Sequence, residues 1–317
     1  MDAGLALVTG ADGFIGSHLV DRLVEDGHPV RRFRRGSPPP DPAEAGPADS
    51  RFGDLRDPAS VQAAMEGVGT VFHLGGIASA GAAMAAPAEA VAVNTVGTLN
   101  VLEAARAAGV RRVVLMSSGH VFGPPRQLPV TEDHPLDPAT PYAASKLAAD
   151  KLAMGYHRSY GLPVVVVRPF NVYGPRQSSD AVVPTIVGQA LAGGPVRVRS
   201  LAPRRDFVFV SDVVEALILA ATAERAVGRE IILASGRAVS VAAILHRVLA
   251  LAGAPNGAPP KPAAPAAPAR GDDRIFGDPS LAGALLGWSA RVPLDEGLAR
   301  TVAWWREHRP CAAAVEA

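Results

Sequence analysis

Val8-Thr9-Gly10-Ala11-Asp12-Gly13-Phe14-Ile15-Gly16 decides the fold. The apolar run Leu5 to Val8 leads into it and reads as a strand. Ile15, Leu19 and Leu23 follow at four-residue spacing, with Val20 and Val24 beside them, which is the period of a helix face. Three glycines therefore lie between a strand and a helix start. Gly10 permits the tight turn, Gly13 lets a pyrophosphate approach the backbone, and Gly16 lets helix and strand pack closely. The helix N-terminus offers unpaired N–H groups, from Phe14 and Ile15 onward, and the positive end of its dipole to an anion. Glycines punctuate any loop, but with strand and helix both in place the pattern reads as a dinucleotide site.

Outward from this turn, strand-like and helix-like runs alternate. Thr70 to Leu74, Arg112 to Ser117 and Val164 to Val167 read as buried strands. Glu89 to Ala108 and Tyr142 to Tyr160 are long enough for crossover helices. This rhythm predicts an α/β fold with a Rossmann-type, doubly wound parallel sheet and a smaller C-terminal lobe. The expected boundaries are residues 1–170 for the dinucleotide-binding domain, with 205–234 returning to it. Residues 171–204 and 235–317 would form the substrate lobe. Ser37 to Pro47 reads as an exposed proline-rich loop, and Ala254 to Ala269 as an extended Ala/Pro connection. Trp288, Trp304 and Trp305 are expected to pack the second lobe.

The 317 residues are 48% hydrophobic with a net charge of +1, which gives no electrostatic case for nucleic acid or an anionic membrane. No apolar run reaches the roughly 18 residues of a membrane span. The N-terminus has no basic stretch followed by an apolar core, so no signal peptide is expected. Cys311 is the single cysteine; it excludes an internal disulfide and a thiolate cluster for zinc, and suits a reducing cytoplasm. The three lysines against 28 arginines read as genome bias.

Tyr142-Ala143-Ala144-Ser145-Lys146 is the second strong signal. Spacing i, i+4 puts Tyr142 and Lys146 on one helix face. A free tyrosine titrates near ~10 and is a poor base at neutral pH, but a nearby ammonium favours the phenolate. Tyr142 could then take a proton from a sugar hydroxyl as hydride leaves its carbon. Ser118 ends the strand Val113-Val114-Leu115-Met116-Ser117-Ser118, at the carboxyl edge where such sheets bind ligands. It is the candidate to orient the substrate hydroxyl and share its proton.

At these residues the chain resembles the extended short-chain dehydrogenase/reductases, in the nucleotide-sugar epimerase/dehydratase branch. Asp54-Leu55-Arg56-Asp57 resembles the acidic turn that contacts adenine, and His73-Leu74-Gly75-Gly76 stands where His-Leu-Ala-Ala is more usual. Asn94 to Leu102, Arg168 to Arg176, Arg205 to Val213, Pro268 to Asp272 and Leu286-Gly287-Trp288 match further family segments. The resemblance implies cofactor contacts at Gly10, Gly13, Phe14, Ile15, Gly16, Arg34, Asp54, Leu55, Leu74, Asn94, Tyr142 and Lys146. It implies substrate contacts at Ser79, Ser117, Ser118, His120, Tyr142, Asn171, Arg176, Arg205 and Arg270. Arg205 and Arg270 would neutralise a diphosphate and Asn171 would hydrogen-bond it. It also implies a homodimer.

Two departures narrow the chemistry. Dehydrating members carry Asp-Glu after the catalytic hydroxyl residue, and decarboxylating members keep the glutamate. Here those positions hold Gly119 and His120, which leaves a 4-epimerase, needing neither carboxylate, as the expected activity. His120 either reaches the sugar or fills the strand end. NAD sites place an acid about 20 residues past the glycine turn. Val30 to Gly36 carries Arg34 and Arg35 there instead, so NAD is expected from the branch while NADP stays open. A UDP-linked sugar is expected, UDP-glucuronate first, with Arg176 beside Ser117, Ser118, Ser178 and Ser179 for the carboxylate. The alternatives are an NADPH-dependent nucleotide-sugar 4-ketoreductase and a non-catalytic dinucleotide sensor.

Overall fold

The computed structural model describes residues 4–37, 49–253, 261–262 and 274–308. Strands β1 (Leu5–Thr9), β2 (Val30–Arg35), β3 (Asp49–Gly53), β4 (Val68–His73), β5 (Arg112–Met116) and β6 (Val164–Pro169) alternate with helices. These are α1 (Phe14–Glu25), α2 (Pro58–Ala64), α3 (Ala80–Ala85), α4 (Pro87–Val91), α5 (Gly97–Ala107) and α6 (Pro141–Tyr160). Then come β7 (Asn171–Tyr173), α7 (Val182–Leu191), β8 (Arg197–Val198), β9 (Arg204–Arg205), β10 (Phe207–Phe209), α8 (Val210–Thr222) and β11 (Glu230–Leu233). The chain continues through β12 (Val239–Ser240), α9 (Val241–Ala252), β13 (Lys261–Pro262), β14 (Arg274–Ile275), α10 (Ser280–Leu286) and α11 (Leu294–Glu307).

Among the described residues, seven strands form one parallel sheet in the order β11-β6-β5-β4-β1-β2-β3. Val164, Val165, Val166 and Val167 are all fully buried, as strands covered on both faces must be. One face packs Leu19, Val20 and Leu23 of α1 and Val213, Val214 and Leu217 of α8; Val24 stays exposed. The other packs Val101, Leu102 and Ala105 of α5 and Ala153 and Met154 of α6. The connections run one way from β1 to β3 and the other way from β4 to β6. That reversal opens a crevice at the carboxyl ends of β1 and β4, where open α/β sheets bind ligands. A separate core of α7, α9, α11, β7 and β10 packs around Tyr173, Ile186, Phe209 and Leu298.

Two expectations need correction. Trp288 lies in the core under the large sheet, donating its indole N–H to the Asp212 carbonyl at 2.8 Å, whereas Trp305 packs the C-terminal core. The single helix expected from Glu89 to Ala108 is broken by a π turn, Ala92–Val96, where the Gly97 N–H reaches back to Ala92 O. The wider turn is held by side chains. Asn94 Oδ1 accepts from Ile77 N at 2.7 Å, its Nδ2 donates to Ser145 Oγ at 2.9 Å, and Thr98 Oγ1 donates to Asn94 O at 2.6 Å. Such bulges recur at functional sites. The loop expected from Ser37 to Pro47 falls outside the described residues except for Ser37, and the Ala254–Ala269 stretch except for Lys261–Pro262. Arg270, its surrounding motif and Cys311 also lie outside them.

Candidate active site

The glycine turn closes β1 onto α1 with no spare room. Gly10 has φ +68°, and a Cβ there would stand 2.8 Å from Gly75 N. A Cβ on Gly16 would lie 2.0 Å from Gly10 O, so helix and turn touch backbone to backbone. The N-terminus of α1 has no side-chain cap and no acidic residue in its first turn. Its free N–H groups and dipole therefore face the crevice ready for a pyrophosphate, so the residues fit a dinucleotide. Around this turn, Asp54 is hydrogen-bonded by Arg56, which holds its carboxyl down to about 2. Leu55 is buried, with its carbonyl taken by Asn100 Nδ2 at 2.8 Å.

The catalytic candidates converge at the ends of β5 and α6. Thr140 caps α6, its hydroxyl accepting from Ala143 N, and Pro141 occupies the first turn, so Tyr142 is fixed at the helix start. Tyr142 is buried, with the Ser118 hydroxyl close enough to favour its phenolate. One turn on, Lys146 Nζ donates to Met116 O at 2.5 Å. Burial raises the Tyr142 pKa and lowers that of Lys146 to about 8. In the protein alone desolvation governs the phenol, and the expected lowering by the ammonium does not emerge. The His120 ring packs edge-on against Tyr142 with centroids 5.9 Å apart. Lost solvent and the charge of Arg205 lower its pKa, which places Arg205 within electrostatic reach of the site.

Behind the turn runs a buried relay. Gly75 N donates to Thr9 Oγ1 at 3.0 Å, and Thr9 Oγ1 lies 2.7 Å from His73 Nδ1. His73 Nε2 lies 2.9 Å from Thr98 Oγ1, which itself donates to Asn94 O. Because the Thr98 proton is engaged, Nε2 must carry the imidazole proton and Nδ1 must accept. Burial, then Lys146, pushes the His73 pKa down to about 3. A neutral buried histidine makes the unfolded chain bind more protons between pH 6.5 and 3, so stability falls as pH drops through that window. About 2 kcal/mol should be lost between pH 7 and 5. Chemical unfolding of the wild type and His73→Gln at both pH values tests this: the variant should lack that share, and an equal loss in both would refute it.

Other expected contacts are engaged elsewhere. Ser117 Oγ points inward and donates to Asp150 Oδ2 at 2.8 Å. Ser79 caps α3 through Ala82 N. Asn94 grips the Ile77 backbone and Ser145 and so braces the loop after β4. Asn171 Nδ2 donates to Asp206 O at 2.9 Å. Arg176, at φ +65°, pairs with Asp21 of α1 at 2.7 Å. Arg34 pairs with Asp12. Leu74 follows β4 and packs partly against the core.

Sequence reasoning missed the buried charges beneath the site. Fully buried Asp150 lies one turn past Lys146 and pairs with fully buried Arg168 at 3.0 Å. Arg168 also pairs with Glu230 of β11 at 2.5 Å and stacks over Phe122. The four-residue repeat Tyr142, Lys146, Asp150 was the available signal. Among the described residues no cluster of His, Cys, Asp and Glu could hold a metal, and no helix is long and apolar enough to cross a membrane.

Comparison with known proteins agrees with this geometry. The chain is 38% identical to UDP-glucose 4-epimerase of Mycolicibacterium smegmatis, over 95% of this chain and 98% of the relative. It is 34% identical to dTDP-glucose 4,6-dehydratase of Actinoplanes sp., over 96% and 98%. The crystal structure of UDP-glucose 4-epimerase from Thermotoga maritima, with UDP-glucose, superposes with a TM-score of 0.87 at 30% identity, covering 96% of this chain and 99% of that one. Residues 6–234 match the model of one family, and by that match and these relatives the chain belongs to the NAD-dependent epimerase/dehydratase family.

Proposed function

We propose that this protein is a UDP-hexose 4-epimerase with UDP-glucose as its first substrate. The observation that carries the reading is the site floor after Ser118. Gly119 and His120 stand where a dehydrating site needs carboxylates, and a Cβ on Gly119 would already meet the Phe170 ring at 3.3 Å. The similarity to the Mycolicibacterium epimerase supports the same reading. Bound NAD supplies a reversible hydride acceptor and a positive charge. The glycine turn and the α1 N-terminus would hold its pyrophosphate, and Lys146 its nicotinamide ribose. Tyr142 Oη takes the C4 hydroxyl proton, with Ser118 orienting that hydroxyl, and returns the proton to the 4-keto sugar after it has turned over. Buried Lys146, kept protonated at neutral pH, favours the phenolate electrostatically.

UDP-glucose takes precedence over UDP-glucuronate because the Arg176 guanidinium is held by Asp21. The direct test incubates the purified protein with UDP-glucose and no added cofactor and follows the sugars by chromatography. Conversion to UDP-galactose is expected. Unchanged UDP-glucose together with NADPH consumption on a nucleotide 4-keto sugar would establish a ketoreductase, and a 4-keto-6-deoxy product from UDP-glucose a dehydratase; either result would overturn the proposal.

A further inference from the structure

The segment Val30 to Ser37 holds no acidic residue, although the end of β2 is where such sheets place the carboxylate that reads an unmodified adenosine ribose. Arg34 occupies that strand end. Left to itself, an arginine there suits a 2′-phosphate. The folded chain does not leave it so. Arg34 Nε donates to Asp12 Oδ2 at 2.7 Å, and its guanidinium lies over the Phe52 ring at 5.2 Å. Asp12 comes from the glycine turn itself, 22 residues earlier. The pair therefore joins the pyrophosphate turn to the ribose end of β2. The Asp12 side chain remains 52% exposed, so its carboxylate can still accept from a ribose hydroxyl. A cleft of about 370 Å³ opens beside it, lined by Asp12, Ser17, Asp21, Arg32 and Arg34.

We propose that Asp12 is the residue that sets the preference for NAD over NADP, by holding Arg34 and by presenting a carboxylate where the 2′-phosphate would enter. The acid missing from β2 is thereby supplied from the turn. A phosphate carrying about two negative charges would meet Asp12 as a like charge and find Arg34 already engaged. A 2′-hydroxyl meets the same carboxylate as a hydrogen-bond donor. No step of the epimerase reading enters this inference.

The test reads binding, not turnover. Holoprotein is equilibrated to constant composition with an equal excess of NAD and NADP, freed of unbound nucleotide, and its bound nucleotides are released and quantified. The wild type should hold mainly NAD. Asp12→Asn should raise the NADP-to-NAD ratio at least tenfold, and Asp12→Asn combined with Arg34→Gln should lose that gain. Arg34→Gln alone should leave NAD dominant, which supplies an independent arm should Asp12→Asn fold poorly. An Asp12→Asn ratio within twofold of the wild type would overturn the proposal. So would a gain that persists in the double variant, or an Arg34→Gln protein that takes up NADP.

Discussion

Tyr142→Phe should reduce epimerase turnover by roughly 10²–10⁴ while leaving the fold intact. The phenol oxygen is the only atom removed, and the ring still packs beside His120. The neighbouring Ser118 hydroxyl keeps its hydrogen bond from His120 N. Binding of the nucleotide sugar should change little, because the lost group acts on a proton and not on the diphosphate. The check is a pair of measurements, kcat for UDP-glucose and a thermal melt. Near wild-type kcat would remove Tyr142 from its role, and a collapsed melt would mean that the ring position had moved.

Arg168→Met should cost about 3–5 kcal/mol of folding stability, the usual penalty when one partner of a buried ion pair is removed. Asp150 is fully buried and would be left with only Ser117 and Lys146, one helical turn away, to answer its charge. Glu230 is affected less, since it is partly exposed and also pairs with Lys151. Adding Asp150→Asn to Arg168→Met should recover most of the loss, because the stranded charge is then gone. Denaturant midpoints of the two variants measure this. A single variant within about 1 kcal/mol of the wild type would show that the pair contributes nothing.

The parallel sheet was readable because its signals are local. Leu5 to Val8, Val113 to Leu115 and Val164 to Val167 are apolar without alternation, which only a strand covered on both faces tolerates. Tyr142 and Lys146 were readable for the same reason, since one helix sets their spacing. What failed depended on partners far along the chain. Nothing near Asn94 announces that its side chain will grip Ile77 and Ser145, and so the π turn was read as plain helix. Arg176 looked free because Asp21 lies on another element. Arg34 looked like a phosphate ligand until the fold brought Asp12 beside it. Ser117 and Ser118 are adjacent in sequence, yet the strand's alternation sends one to Asp150 and the other to Tyr142.

The buried relay around His73 also bears on the order in which the protein assembles. It runs from Gly75 and Thr9 through His73 and Thr98 to Asn94, and Asn94 carries it to Ser145, next to Lys146. The Thr9 link spans 64 residues and the Asn94 link 51, so neither closes until distant segments have met. Contacts of such separation form late, after their loops have been closed. Until then His73 has no fixed tautomer, the loop after β4 lacks its brace, and the start of α6 is not anchored. The nucleotide turn and the catalytic helix therefore mature together. A nascent chain that has released only the first half of the sheet would present glycines in the right sequence and still lack a finished nucleotide site.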